Sequence, residues 1–119
     1  MSSNIGNSIV ENYLFLKKIA KTKSDRKRKR LLKLATDQEL LSIIESAFNI
    51  LKGRFKLTQR QKNLIIPNIN IVRKIGRSRS KRGLKSVLQR GGGISILPTI
   101  LTPLLIEAIR FLKSNDNSQ

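Results

Sequence analysis

The fold is decided by residues 36–53, TDQELLSIIESAFNILKG, which carry the clearest helical signal of the chain. Thr36 and Glu39 form a capping box, in which a hydroxyl and a carboxylate three residues apart satisfy two free amide donors at a helix start. Apolar residues then recur at helical spacing, and Gly53 stands where a left-handed C-cap is typical. The stretch predicts a helix over 37–52 with an apolar face of Leu40, Leu41, Ile44, Phe48 and Leu51.

Two more capping boxes have the same spacing. Ser8 precedes Glu11 by three residues and Thr58 precedes Gln61 by three, so helices are predicted to begin at both places. The first is predicted over 9–21, with one apolar face. That face comprises Ile9, Tyr13, Leu16 and Ala20, and we expect Tyr13, like Phe48, to lie in the core.

Caps and prolines mark the remaining helices of the first ninety residues. Ser24 is a predicted N-cap for a cationic helix over 25–34. Pro67 ends one segment, and Asn68 is placed to cap another that runs to Gly76. A short extended piece around 64–71 stays open as an alternative, because Leu64-Ile-Ile and Ile69-Asn-Ile do not exclude one.

The last third of the chain predicts two more helices. Residues 80–89 place Leu84, Val87 and Leu88 at helical spacing. Thr102 followed by Pro103 is typical of an N-cap and a first helical residue, so a final helix is predicted to open there and run to about residue 113. We therefore predict an all-α fold, a small helical hairpin or bundle with basic, partly disordered segments and a hydrophobic C-terminal helix.

The domain organisation predicted from these changes in composition has four parts. Residues 1–57 form an N-terminal helical region with a basic helix, and 58–90 form a basic segment. Residues 91–93, three glycines, are a hinge or a processing site, because consecutive glycines resist regular structure. Residues 94–119 are a hydrophobic helix followed by a polar tail.

The composition argues against catalysis. The 119 residues contain neither Cys nor His, which removes thiolate nucleophiles, Ser-His triads and the usual zinc ligands. Only seven Asp and Glu residues remain, and several stand at predicted helix starts. We predict a protein that is not an enzyme, has no catalytic residues and needs no metal or cofactor.

Charge predicts the class of partner. The formal net charge is +18, and residues 17–90 hold 23 of the 25 Lys and Arg but only four acidic residues. So dense a charge repels itself unless a polyanion neutralises it, and DNA, RNA and acidic membranes are the natural polyanions. Five consecutive cations at 26–30 exceed what one helix face requires, and the same run is typical of a nuclear localisation signal.

We expect these cations to contact nucleic-acid phosphates, which attract Lys and Arg regardless of sequence. No aromatic residue lies inside a basic run, so base stacking and base reading are not expected. The candidate nucleic-acid-binding residues are Arg26, Lys27, Arg28, Lys29, Arg30, Lys33, Arg73, Lys74, Arg77, Arg79, Lys81, Arg82, Lys85 and Arg90.

The apolar stretch over 94–106 has 13 residues without a charge, fewer than the 20 or so that span a bilayer. Pro98 and Pro103 interrupt it, so a transmembrane helix is not expected. Two alternatives stay open: the stretch packs in the core or in an oligomer interface, for instance against the helix over 37–52, or 94–112 acts on a membrane surface.

Three motifs together resemble a known family. They are Asn12-Tyr13-Leu14-Phe15-Leu16, the leucine-rich 31–36, and the segment from Leu84 to Gly92 that ends in Gly-Gly. In this order they are similar to small proteins of adintoviruses and Polinton/Maverick elements, counterparts of the adenovirus core protein X, the precursor of mu. The chain departs from mature mu, which is short and Arg/His-rich, in having no His and a long helical N-terminal half.

The resemblance implies a virion core protein that condenses double-stranded DNA, located in the virion core and the host nucleus. It also implies a viral protease as a partner, with a cut before Gly93. The processing residues are then Gln89, Arg90, Gly91, Gly92 and Gly93. Two other functions stay open: a membrane-active protein or one that bridges to capsid or core proteins, and a basic RNA- or ribosome-binding protein.

Overall fold

The computed structural model describes residues 7–54, 57–89 and 93–117, and every regular element in these ranges is helical. The predicted all-α class is confirmed, and the helices form a compact bundle. The elements are α1 (Asn7–Glu11), α2 (Tyr13–Lys21), α3 (Asp25–Lys33), α4 (Asp37–Leu51), α5 (Gln59–Ile65), a 3₁₀ turn (Ile66–Asn68), α6 (Ile69–Gly76), α7 (Lys81–Gln89) and α8 (Gly93–Asn117).

The bundle is organised around α8, which contacts each of the other seven α-helices. Most of its apolar side chains are buried because neighbours surround it on several sides, whereas Ile106 and Ile109 are exposed. Leu97, Ile100, Leu101 and Leu104 have no exposed surface. This confirms core packing for the first part of the apolar stretch, including contact with α4. Its exposed positions, Ser95, Thr102 and Ile106, fall on one side of the helix, so the stretch has only a narrow polar face.

The prediction that a helix opens at Thr102 is wrong. Helix α8 begins at Gly93 and continues through Pro98 and Pro103. The Thr102 hydroxyl does not cap an N-terminus; it donates to the Pro98 carbonyl at 2.7 Å. Each proline removes one backbone donor, a cost of about 3 kcal/mol in a helix interior. Burial of the helix among its neighbours offsets that cost, which a local rule could not take into account.

Helix α4 begins and ends as predicted, but its buried face only partly matches the predicted one: Leu40 is buried, and Ile44 and Leu51 are half-buried against the core. The Thr36–Glu39 capping box is present, and Gly53 adopts φ 63° after the last turn. The buried apolar side chains are Leu40, Ile43, Ala47 and Ile50, whereas Leu41 and Phe48 are exposed.

The helix has apolar residues on two faces, and contacts with α1, α6 and α8 select the one that is buried. Phe48 instead lies beside two cations: its ring centroid is 5.3 Å from Lys52 Nζ and 5.4 Å from Arg54 Cζ. The prediction that Phe48 is a core residue is therefore wrong. Tyr13 is half-buried and packs against the core.

The single helix predicted over 9–21 is divided. Helices α1 and α2 meet at Asn12, whose side-chain amide donates to the Ser8 carbonyl at 2.7 Å. Ser8 lies inside α1 rather than before it, and its hydroxyl donates to Glu45 of α4. The Ser8–Glu11 capping box is therefore wrong, because a tertiary partner competes for the hydroxyl.

The other local predictions are confirmed, except for the N-cap predicted at Asn68. Ser24 accepts from the Lys27 amide at the start of α3, and Thr58 forms a complete capping box with Gln61. The helix predicted over 80–89 is α7, which Ser80 precedes while accepting from the Gly83 amide at 3.0 Å. Asn68 precedes α6 but makes no side-chain cap; its amide donates back to the Leu64 carbonyl.

Candidate nucleic-acid interface

The α3–α7 cleft is an open depression of about 550 Å³ between the cationic helix and α7. Its floor is apolar, formed by Leu32, Leu88 and Ile94. Its walls are cationic, and α3 supplies most of the charge because residues three and four apart share a helix face. The lining cations are Arg26, Lys29, Arg30, Lys33 and Lys85, and Gln89 completes the lining.

The α6–α7 cleft is a second depression, of about 610 Å³, on the other side of α7. Helix α6 and the turn after it provide Arg73, Lys74 and Arg77, together with the polar side chains of Asn70 and Ser78. Helix α7 closes the cleft with Gly83 and Val87. The first cleft is lined by five of the predicted cations and the second by three. Eight predicted residues therefore lie on the two sides of α7.

No carboxylate lines either cleft, as far as the described residues go. Several acidic side chains instead hold the fold together. Asp25 pairs with Arg28 and accepts from Ser95 at 2.7 Å, Glu45 accepts from Ser8, and Asp37 lies 3.2 Å from Lys81 Nζ. Because none of these carboxylates lines a cleft, the charged side chains of both linings are all cationic, which suits an anionic ligand.

Arg28 stands apart from the other cations of its run. Only 8% of its surface is exposed, and its guanidinium pairs with Asp25 and donates to the Ile19 carbonyl at 3.4 Å. The predicted phosphate contact by Arg28 is therefore corrected to a structural role, because its charge is turned into the bundle. A signal for this was present in the sequence: Arg28 and Leu32 are four residues apart, on the inward face of α3.

The two roles within this run can be separated by two single substitutions. We expect Arg28→Gln to lower the free energy of unfolding by about 1–3 kcal/mol, since a buried charged hydrogen-bonding group is lost. Its DNA-binding salt dependence should not change. Arg26→Gln, at an exposed cleft residue, should leave stability within about 0.5 kcal/mol but make the salt slope shallower by about 0.9. Urea unfolding and salt titration of both variants check this, and the opposite pattern would contradict it.

The other predicted cations lie on the surface without lining either cleft. Lys27, Arg79 and Arg82 are exposed, and so is Lys81, which pairs with Asp37. Arg90 lies outside the described residues, as do Gly91 and Gly92 of the predicted processing site.

The first and last residues of the predicted processing site, Gln89 and Gly93, differ in their exposure. Gln89 is exposed at the last position of α7. Gly93 is buried at the first position of α8, and a Cβ there would come within 3.0 Å of Leu88 Cα and Val87 O. This close approach gives Gly93 a packing role in joining α7 to α8, beside the role predicted from the Gly-Gly motif.

Sequence reasoning missed the apolar floor of the α3–α7 cleft and the polar lining of the α6–α7 cleft. The spacing of Leu84 and Leu88 indicated that α7 has a buried side, but not which basic segments would flank it. Only the tertiary structure, in which α6 packs against α7 and α3 lies across the first cleft from it, brings those segments together.

Two further properties of the described residues bear on function. By length and apolar composition alone, Gly93–Arg110 of α8 could cross a membrane, although 59% of that window is buried inside the bundle. No cluster of three or more Asp, Glu, Cys or His residues that could hold a metal ion occurs within the ranges the structure covers.

The chain was compared with family models, curated proteins and solved structures, and none of the three comparisons found a match.

Proposed function

We propose that this protein binds double-stranded DNA through its phosphates, without reading sequence, and condenses it. The observation that carries the proposal is the pair of basic clefts on either side of α7, eight cations with no described carboxylate among them. Phosphate contacts by Lys and Arg release condensed counterions, and this release drives sequence-independent binding. Neutralising the phosphates lowers repulsion between DNA segments, which favours condensation.

The setting we propose is the virion core of an adenovirus-like virus or virus-derived transposon, with passage through the host nucleus. It rests on the resemblance to the core protein X family and on the Gln89-Arg90-Gly91-Gly92 motif. A viral protease would act before Gly93, so the chain is proposed to be a precursor. Because α8 packs against all the other α-helices, the two fragments would stay associated after such a cut until another event separated them.

Salt dependence tests the proposed mechanism directly. If the eight cleft cations each contact a phosphate, log affinity plotted against log salt should have a slope of about −7. Fluorescence anisotropy with a random-sequence duplex between roughly 0.05 and 0.3 M salt measures it. A slope near zero would contradict electrostatic binding, and a strong preference for one duplex sequence would contradict its indifference to sequence.

A competition experiment between RNA and DNA distinguishes the proposed function from the RNA-binding alternative. A structured RNA and a random duplex of equal phosphate count should compete for the protein in proportion to their charge density if the proposal holds. If the protein's affinity for the RNA is much higher than charge density explains, so that the RNA displaces the DNA, the RNA-binding alternative is favoured. Membrane action is supported less well, because α8 would have to expose Leu97, Ile100 and Leu101 to meet a bilayer.

A further inference from the structure

Helix α7 forms a ridge between the two basic clefts. With 3.6 residues per turn, Gly83 and Val87 share one flank, which lines the α6–α7 cleft, while Lys85 and Gln89 lie toward the α3–α7 cleft. Leu84 and Leu88 point inward and are buried. The two clefts therefore lie on two sides of one helix, of which Lys81, Arg82 and Gln89 are the exposed residues.

The crest of this ridge is polar. Ser86 lies opposite Leu84 and Leu88, and Arg82 and Gln89 lie beside it on the flank toward the α3–α7 cleft. Arg82 and Gln89 are exposed, and Ser86 is half-buried. Arg, Ser and Gln are residue types whose side chains match base edges: Arg the O6 and N7 of guanine, Gln the N6 and N7 of adenine, and Ser either purine.

The dimensions of the ridge match the DNA major groove. An α-helix with its side chains is about 10–12 Å across, and the major groove is about 12 Å wide and 8.5 Å deep. A helix in the groove has one sugar-phosphate backbone on each side. The cations of the two clefts lie where those backbones would run: Arg73, Lys74 and Arg77 on one side and the α3 cations on the other.

The connection before α7 agrees with this placement. Helices α6 and α7 pack against each other and are joined by four residues, Arg77 to Ser80. DNA-binding helix-turn-helix units join their helices by turns of three or four residues, place the second helix in the major groove and let the first contact the backbone.

We propose that α7 inserts into the major groove of duplex DNA, with Arg82, Ser86 and Gln89 facing base edges and the two clefts holding the flanking phosphates. The inference rests on the proposed DNA-binding function and specifies which groove is bound and which helix enters it. The base-edge contacts orient α7 in the groove without selecting one sequence, while the phosphate contacts supply the affinity.

Methylation of guanine N7, an atom in the major groove, tests the placement. Dimethyl sulfate is applied to a random-sequence duplex saturated with the full-length protein. We expect reduced N7 methylation with the unmodified protein and methylation at the level of free DNA with the double variant Arg82→Ala/Gln89→Ala. If Arg82 faces bases, this variant keeps the salt slope of the unmodified protein, whereas loss of a phosphate contact would make the slope shallower by about 0.9.

The matched control removes the same two residue types from another exposed helix. Gln59→Ala/Arg60→Ala changes α5, which lines neither cleft, and should leave N7 protection intact. Unprotected N7 in a saturated complex would overturn the inference, as would retained protection in the Arg82/Gln89 variant, whatever its salt slope. Absence of salt-dependent duplex binding by the unmodified protein would instead overturn the proposed function, so the two failures are distinguishable.

Discussion

Ile100→Ala should lower the free energy of unfolding by about 2–5 kcal/mol. Ile100 has no exposed surface and lies in the middle of α8, which contacts all the other α-helices. The substitution removes three buried carbon atoms and leaves a cavity that the surrounding helices fill only in part. For a domain stabilised by some 5–15 kcal/mol, such a loss is a large fraction of the total. Urea unfolding followed by circular dichroism measures it.

The matched control is Ile106→Ala, on the same helix and with the same change in side chain. Ile106 is 45% exposed, so its replacement should cost well under half as much. Equal effects at the two positions would contradict the burial of α8. They would also support the membrane-surface alternative, because the apolar face of α8 would then not be buried in the core.

Neutralising the α3 side of the first cleft should produce the largest loss of DNA affinity. The variant Arg26→Gln/Lys29→Gln/Arg30→Gln/Lys33→Gln removes four of the eight cleft cations but keeps Arg28, which holds α3 in the bundle. The salt slope should fall from about −7 to about −4, and the affinity at about 0.1 M salt should drop on the order of 10³-fold. Anisotropy titration at several salt concentrations measures both quantities.

A variant that loses the same number of charges elsewhere distinguishes the effect of the cleft contacts on affinity from the effect of net charge. Lys18, Lys21, Arg60 and Lys62 are exposed and line neither basic cleft, so changing all four to Gln removes the same charge elsewhere. This control should keep a slope near −7. If the two quadruple variants lose equal affinity, overall charge rather than the clefts drives binding. A circular dichroism spectrum matching that of the unmodified protein verifies that each variant is folded.

Much of the secondary structure could be predicted because the signals are local. The capping boxes at Thr36 and Thr58, the Ser24 cap and the Gly53 C-cap each depend on residues within one turn. Hydrogen bonds between neighbours in sequence need no partner from elsewhere in the chain, so they form unless a tertiary partner competes for the same group. The predicted helix over 80–89 could be found for the same reason, from the spacing of its leucines.

Tertiary contacts decided the points where these local rules failed. Ser8 bonds to Glu45 rather than capping a helix, and α8 continues through Pro98 and Pro103 because the bundle encloses it. The buried face of α4 was chosen by α1, α6 and α8 from a helix with two apolar faces. In each case the deciding partner is remote in sequence, so a local pattern carries no information about it.

The candidate site divides in the same way. Composition by itself determined the absence of Cys and His chemistry, the charge of +18 and the basic segments that contain the eight cleft cations. Only the tertiary structure decided that α3 and α6 flank α7, that Arg28 turns inward, and that Arg82 and Gln89 stand on a ridge. Charge is a sum over residues and survives any folding, whereas a cleft is a relation between helices that exists only after they pack.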